Sequence, residues 1–154
     1  MALGLTTCSA EIHQAFVEED KLKTFFHGHS YTGNALACAA AKASLELLTS
    51  VEHQNNIKRI ESKHAEFKRK IELQFNHKVS KVNHLGTVIS LELKTGESSS
   101  YFNNLRDYLY NYFLERNILL RPLGNVLYII PPYVITNEEL ELIYSELEGL
   151  LEEL

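Results

Sequence analysis

The spacing of apolar residues changes several times along this chain, and each change predicts a different kind of element. Steps of three and four residues, typical of helices, run through 34–49, 52–75, 102–113 and 136–151. Alternating apolar and polar residues predict a strand at 89–93, after an extended segment at 79–85. Two further extended runs lie at 118–123 and 126–130. The pattern predicts an α/β fold with α+β character, in which helices pack on a small, mostly antiparallel sheet.

The beginning of the chain predicts shorter elements. An apolar strand is expected at 2–7, and Ser9 is placed to begin a brief helix that continues to residue 17. A loop follows at 23–33. The helix at 34–49 is apolar on several sides, so we expect it to be buried between two layers.

The two extended runs at 118–123 and 126–130 are joined by Gly124-Asn125, which predicts a two-residue hairpin turn. The antiparallel register would then pair Arg121 with Tyr128 on one face. A guanidinium held on a stiff base suits bidentate hydrogen bonding to a carboxylate. Taken alone, the residue pattern favours an arginine that merely faces solvent on an edge strand.

Two further features of the helical segments are interpreted structurally. His64 lies on the apolar stripe of the helix at 52–75, so we expect it to be packed with its polar atoms satisfied rather than catalytic. The run Ser98-Ser99-Ser100 can cap the helix that follows it.

Composition narrows the class of protein. The 154 residues carry a formal net charge of −5, and the basic residues at 58–70 alternate with glutamates, which argues against a nucleic-acid or membrane partner. Cys8 and Cys38 are too few for a disulfide scaffold, and the N-terminus lacks the pattern of an export signal. We therefore expect a soluble, cytoplasmic protein.

The segment 27–34, HGHSYTGN, is the strongest candidate for chemistry. Gly28 and Gly33 allow the backbone to turn close to a ligand, Ser30 and Thr32 offer hydroxyl donors, and the following helix presents unpaired N–H groups. A phosphate would fit such a turn. A plain helix cap remains the structural alternative. His27 and His29 lack a nearby third ligand, so no metal site is predicted.

Two motifs together closely resemble the class III aminotransferases, enzymes of fold type I that use pyridoxal 5′-phosphate. They are HGHSYTGNALACAAA at 27–41 and LRPLGNVLYIIPPY at 120–133. Within that family the resemblance is strongest to the branch of biotin biosynthesis that converts 8-amino-7-oxononanoate to 7,8-diaminononanoate with S-adenosylmethionine as amino donor. The likeness covers the whole chain but only the last part of the family's length.

The resemblance implies a role for five residues. Ser30 and its neighbour His29 would bind the cofactor phosphate held by the other subunit of a homodimer. Gly28 would contact the substrate, Arg121 would bind its carboxylate, and Tyr128 would stand beside Arg121. The chain departs from the family pattern at three positions, none of which removes a polar contact: Ala35 in place of Pro, Ser30 in place of Thr, and Leu123 in place of Phe.

The catalytic lysine that holds the cofactor as a Schiff base is expected to be absent, since no lysine here stands in the family's context. The resemblance divides the chain into a remnant of the large domain at 1–33, an interdomain helix at 34–50 and the C-terminal small domain at 51–154. Alone, the chain is expected to be inactive. Two alternatives stay open: a fragment of an ω-amino-acid or ornithine-type aminotransferase, or a non-catalytic carboxylate-binding module.

Overall fold

The computed structural model describes residues 3–17, 19–95 and 105–154. The chain forms two compact units, 1–50 and 51–154, which are described separately below. The assignment of 1–33 and 34–50 to parts of a larger domain stays a prediction.

In the first unit, the described residues form two helices and one helical turn. Helix α1 spans Ala10–Gln14, a 3₁₀ turn spans Lys21–Lys23, and helix α2 spans Ala35–Thr49. Ser9 caps α1 as expected, because its hydroxyl oxygen accepts the N–H of Ile12 at 3.3 Å. The helix ends at Gln14, earlier than predicted.

The strand expected at 2–7 is wrong: residues 3–7 have no strand partner in the described part of the chain. An apolar run becomes a strand only where a second strand satisfies its backbone groups. Burial of α2 between two layers was expected of the whole enzyme, and its cover was expected to be missing from this chain. Among the described residues the helix is largely exposed, with Ala37 buried and Leu36 72% exposed.

The described residues of the second unit form three helices and three strands, and the predicted helices and small antiparallel sheet are confirmed. Helix α3 spans Val51–Gln74, β1 spans Val79–Leu85, β2 spans Val88–Leu93, α4 spans Leu105–Glu115, β3 spans Val126–Ile129, and α5 spans Asn137–Glu153. Ser98–Ser100, proposed as a helix cap, lie outside the described residues.

The sheet has the order β1-β2-β3, with both pairs antiparallel. Its register aligns Val82, Leu91 and Leu127 in one cross-strand row, and all three are buried. The next row, which points to the opposite face, aligns Asn83 with Ser90 and Ser90 with Tyr128. One face therefore packs on the core, and the other carries Tyr128.

Helices α3 and α5 close the core through their apolar stripes. The buried residues of α3 are Ile60, His64, Phe67 and Ile71, and the buried residues of α5 are Leu140, Tyr144, Leu147, Leu150 and Leu151. Helix α5 begins with a capping box, in which the Thr136 side chain accepts the N–H of Glu139 and the Glu139 carboxylate accepts the N–H of Thr136.

The hairpin predicted for 118–123 and 126–130 is reduced to one bridge. Leu123 and Val126 exchange backbone hydrogen bonds of 2.9 and 3.0 Å, but the described residues show no second pair, so the expected pairing of Arg121 with Tyr128 is wrong. Burial still alternates, with Ile118 and Leu120 in the core. Alternation reports which face a side chain takes, and it does not ensure a hydrogen-bonded ladder.

Candidate functional site

The candidate residues fall in separate units. Gly28, His29 and Ser30 belong to the unit at 1–50, whereas Arg121 and Tyr128 belong to the unit at 51–154. Each group is described on its own.

Backbone hydrogen bonds close the loop before α2 into two successive turns. The N–H of Thr32 donates to the His29 carbonyl at 2.9 Å, and the N–H of Asn34 donates to the Tyr31 carbonyl at 3.2 Å. Gly33 has a φ of +68°, as the predicted turn requires of a glycine. Gly28 does not have a positive φ, so the turn itself does not require a glycine at that position.

Two side chains of the loop bind its backbone. The N–H of His29 donates to Thr32 Oγ1, and the N–H of Tyr31 donates to His29 Nδ1, both at 3.1 Å. Because Nδ1 is an acceptor, the proton of the neutral His29 ring lies on Nε2, which is a donor. Thr32 was expected to be a donor only. Its spacing three residues after His29 was the signal for this additional role.

Ser30 lies at the tip of the loop and is exposed. Across residues 3–17, 19–95 and 105–154, neither its hydroxyl nor its backbone N–H makes a hydrogen bond. Together with Nε2–H of His29 and the hydroxyl proton of Thr32, these groups form a set of donors on a short segment. Such a set suits a phosphate or another anion.

The structural alternative of a helix cap is realised by a different residue. Asn34 caps α2, since its side-chain oxygen accepts the N–H of Ala37 at 3.0 Å and its carbonyl accepts the N–H of Cys38 at 2.9 Å. The cap leaves Ser30 uninvolved. The loop can therefore combine capping with anion binding.

A concave pocket of about 920 Å³ lies beside the loop. It is lined by Leu3, Gly4, Thr6, His27, His29, Tyr31, Thr32, Gly33, Asn34 and Ala37. None of these residues carries a carboxylate that would repel an anion.

The pair His27 and His29 does not form part of a metal cluster. Within the described ranges, no group of three His, Cys, Asp or Glu side chains is close enough to hold a metal ion. The ring of His27 lies 5.5 Å from the ring of Phe25, and Nδ1 of His29 already accepts a hydrogen bond.

In the second unit, Arg121 is exposed and Tyr128 is half-buried on β3. The turn that precedes β3 is tightly held: Gly124 has a φ of +62°, and the buried Asn125 donates from Nδ2 to the Leu93 carbonyl at 2.8 Å. A positive φ at the first turn residue alone is typical of a type II′ turn. This turn fixes the register of β3 and hence the face on which Tyr128 lies.

His64 is packed as predicted. It is fully buried, its Nδ1 lies 2.6 Å from the Tyr144 hydroxyl, and its Nε2 lies 3.1 Å from the Thr87 carbonyl. Burial lowers the pKa of His64 to about 4, against the opposing effect of the Thr87 carbonyl, and nearby His84 lowers it further. At neutral pH it is therefore an uncharged structural residue.

The family model of class III aminotransferases matches residues 1–151. The chain belongs to the class III aminotransferase family. This match confirms the resemblance carried by the two motifs, and it agrees with the helices and small antiparallel sheet of the second unit.

Two relatives named adenosylmethionine-8-amino-7-oxononanoate aminotransferase are similar over almost all of the chain. The protein from Synechococcus elongatus is 36% identical over 100% of this chain and 35% of its own length. The protein from Helicobacter pylori is 34% identical over 98% of this chain and 34% of its own length.

A solved structure of the same-named enzyme from Methanocaldococcus jannaschii superposes with a TM-score of 0.75 at 32% identity. The superposition covers 93% of this chain and 33% of the chain in the solved structure. The chain thus spans about a third of the length of the curated relatives it matches. In the described residues, no helix is long and apolar enough to cross a membrane.

Proposed function

We propose that this chain is the C-terminal part of a pyridoxal-phosphate-dependent aminotransferase of biotin biosynthesis. The whole enzyme would convert 8-amino-7-oxononanoate to 7,8-diaminononanoate, with S-adenosylmethionine as the amino donor. The observation that carries this proposal is that relatives of one name match the chain over 98–100% of its length at 34–36% identity.

The loop residues fit the phosphate of the cofactor. Ser30 supplies an unengaged hydroxyl and N–H at the tip of the loop. His29 supplies Nε2–H and lines the adjacent pocket, whose lining has no carboxylate. Donors fixed before the ligand arrives bind a phosphate without further ordering. Pyridoxal 5′-phosphate, when bound, supplies an electron sink that allows an amino group to be transferred. This chain's own contribution is to hold and orient its phosphate.

Arg121 would bind the substrate carboxylate, and Tyr128 and Gly28 would contact the rest of the substrate. Arg121 is exposed, and it is not ion-paired among the described residues, so its guanidinium is available for a bidentate contact. Tyr128 lies on the face of the sheet that is not packed on the core. The lack of a ladder between their segments means that Arg121 is positioned by the packing of Ile118 and Leu120 instead.

We further propose that the lysine bound to the cofactor lies outside this chain. Lys42 does not suit that role, because its Nζ lies 3.8 Å from a carboxylate oxygen of Glu46 on the surface of α2. The active enzyme would be a cytoplasmic homodimer in which each subunit's Ser30 reaches the phosphate held by the other. The 154-residue chain alone would then neither transaminate nor retain the cofactor.

The test uses the full-length enzyme that carries this sequence. With S-adenosylmethionine as donor, Arg121→Met should raise KM for 8-amino-7-oxononanoate by roughly tenfold or more, because a charged hydrogen-bonded pair is lost, with kcat little changed. Arg106→Met, on the exposed face of α4, is the matched control and should leave KM unchanged.

Two results would overturn the proposal. One is a full-length enzyme that accepts ω-amino acids or ornithine but not S-adenosylmethionine. The other is an Arg121→Met variant whose KM for the amino-oxononanoate equals that of the wild type. Retention of pyridoxal 5′-phosphate by the 154-residue chain through gel filtration, with an absorption band at longer wavelength than that of the free compound, would contradict the placement of the lysine.

A further inference from the structure

The residue that holds the phosphate-binding loop together is Thr32. Its backbone N–H donates to the His29 carbonyl at 2.9 Å, and its Oγ1 accepts the N–H of the same residue at 3.1 Å. The backbone N–H and the carbonyl of His29 are therefore both hydrogen-bonded to Thr32. Ser30 and Tyr31 lie between the two residues and form the tip of the closed turn.

The side-chain contact has a consequence for Ser30. The N–H of His29 belongs to the residue immediately before Ser30, so fixing it orients the peptide unit that leads into the tip. His29 in turn accepts the N–H of Tyr31 on Nδ1 at 3.1 Å, which fixes the residue immediately after the tip. Ser30 is left as the one residue of the turn whose hydroxyl and N–H are unengaged within the described ranges.

We propose that Thr32 is a positioning residue, which holds the hydroxyl and N–H of Ser30 in the direction required to bind a phosphate. This inference rests on the proposed function, because it acts through Ser30. The essential atom is Oγ1 rather than the methyl group of Thr32. Serine at this position should therefore substitute for threonine, whereas valine, which has nearly the same shape, should not.

The first experiment examines the 154-residue chain by NMR, without cofactor. In Thr32→Val, the His29 amide should acquire the temperature coefficient of a solvent-bonded N–H, and ¹⁵N relaxation should show Ser30 becoming more mobile. Thr32→Ser should retain the wild-type values. Thr24→Val, at an exposed threonine that does not line the pocket, is the matched control and should leave both signals unchanged.

The second experiment measures equilibrium binding to the full-length apoenzyme. Thr32→Val should weaken pyridoxal 5′-phosphate by roughly three- to tenfold, the effect of one ordinary hydrogen bond, and leave unphosphorylated pyridoxal unaffected. Thr32→Ser should restore the affinity. In the Ser30→Ala background, Thr32→Val should have a smaller effect, because the hydroxyl that it positions is already gone and the backbone N–H of residue 30 remains.

The outcomes separate this inference from the proposed function. If Ser30→Ala leaves the affinity for pyridoxal 5′-phosphate unchanged, the proposed phosphate-binding role of the Ser30 hydroxyl is wrong. If Ser30→Ala weakens binding but Thr32→Val does not, only the positioning role is wrong. Two other results would overturn the role of Thr32. One is a Thr32→Val variant that loses as much affinity for pyridoxal as for pyridoxal 5′-phosphate. The other is a Thr32→Val variant in which the temperature coefficient of the His29 amide equals that of the wild type.

Discussion

The Tyr144 hydroxyl on α5 donates a hydrogen bond to Nδ1 of His64 on α3, over 2.6 Å. The direction follows from the other ring nitrogen, since Nε2 must donate to the Thr87 carbonyl at 3.1 Å. A fully buried imidazole is thus satisfied on both sides, and it connects two helices to the turn between β1 and β2. The neutral ring with its proton on Nε2 makes both bonds without placing a charge in the core.

The first prediction is that the chain loses stability as pH falls from 6.5 to about 4. The pKa of His64 is about 4 in the folded protein, against 6.5 for the ordinary residue. Between these values the unfolded chain binds more protons, so stability is complete above pH 6.5 and declines below it. At about 1.4 kcal/mol for each pH unit, the loss reaches roughly 3 kcal/mol.

Urea unfolding followed by circular dichroism at several pH values measures this slope. Carboxylates also titrate in the acid range, so the comparison is with His64→Gln, which lacks the imidazole. The variant should be less stable at pH 7 but have a shallower dependence on pH. Equal slopes for the two proteins would show that His64 does not carry the effect.

The second prediction concerns the tyrosine side of the same contact. Tyr144→Phe leaves Nδ1 of His64 buried without a donor and should lower the free energy of unfolding by about 1–3 kcal/mol at pH 7. The stacking of residue 144 on Phe67, with ring centroids 4.1 Å apart, is retained by phenylalanine. Tyr108→Phe, at a residue that is 45% exposed, is the control and should change stability by less than about 0.5 kcal/mol. A comparable loss in both variants would contradict the role given to the hydrogen bond.

The third prediction concerns the contact between α4 and α5. Arg116 donates to the Tyr112 carbonyl and pairs with Glu146, both at 2.9 Å, while its guanidinium carbon lies 3.5 Å from the Tyr112 ring centroid. A lysine retains the charge but loses the planar fork and its stacking. Arg116→Lys should therefore destabilise the chain by about 1 kcal/mol.

Arg106→Lys provides the control for that change, since among the described residues Arg106 pairs only with the adjacent and well exposed Asp107. Such a surface pair contributes little, and the variant should fall within about 0.5 kcal/mol of the wild type. Chemical denaturation of the two variants side by side measures the difference. If Arg106→Lys costs as much as Arg116→Lys, the geometry around Arg116 is not responsible.

The periodic part of the sequence predicted the second unit well, because the spacing of its apolar residues matches the faces that are buried in the core of that unit. The stripe through Ile60, His64 and Phe67 predicted α3, and the alternation around Leu91 predicted β2. In each case one face packs on a core that lies within the same unit.

Two errors arose where the pattern depends on a partner. Residues 3–7 are apolar but lack a neighbouring strand, and Arg121 lies in a segment that alternates without forming a ladder. The hydrogen bonds that His29 and Thr32 make within the loop were missed for another reason. They depend on which atom of a side chain accepts a backbone N–H, and several loop conformations fit the same residues.

The last prediction is that the 154-residue chain self-associates through its first unit. Large apolar side chains are exposed there, including Leu5 at 87%, Phe26 at 81% and Leu36 at 72%. Apolar surface on this scale favours association. In sedimentation velocity, the double variant Phe26→Ser with Leu36→Gln should weaken association by roughly tenfold or more, as expected from losing two large apolar contacts. Leu73→Gln, at a residue of α3 that is 79% exposed, is the control and should have little effect. A wild-type chain that stays monomeric at high concentration, or a control that weakens association equally, would contradict the assignment to this surface.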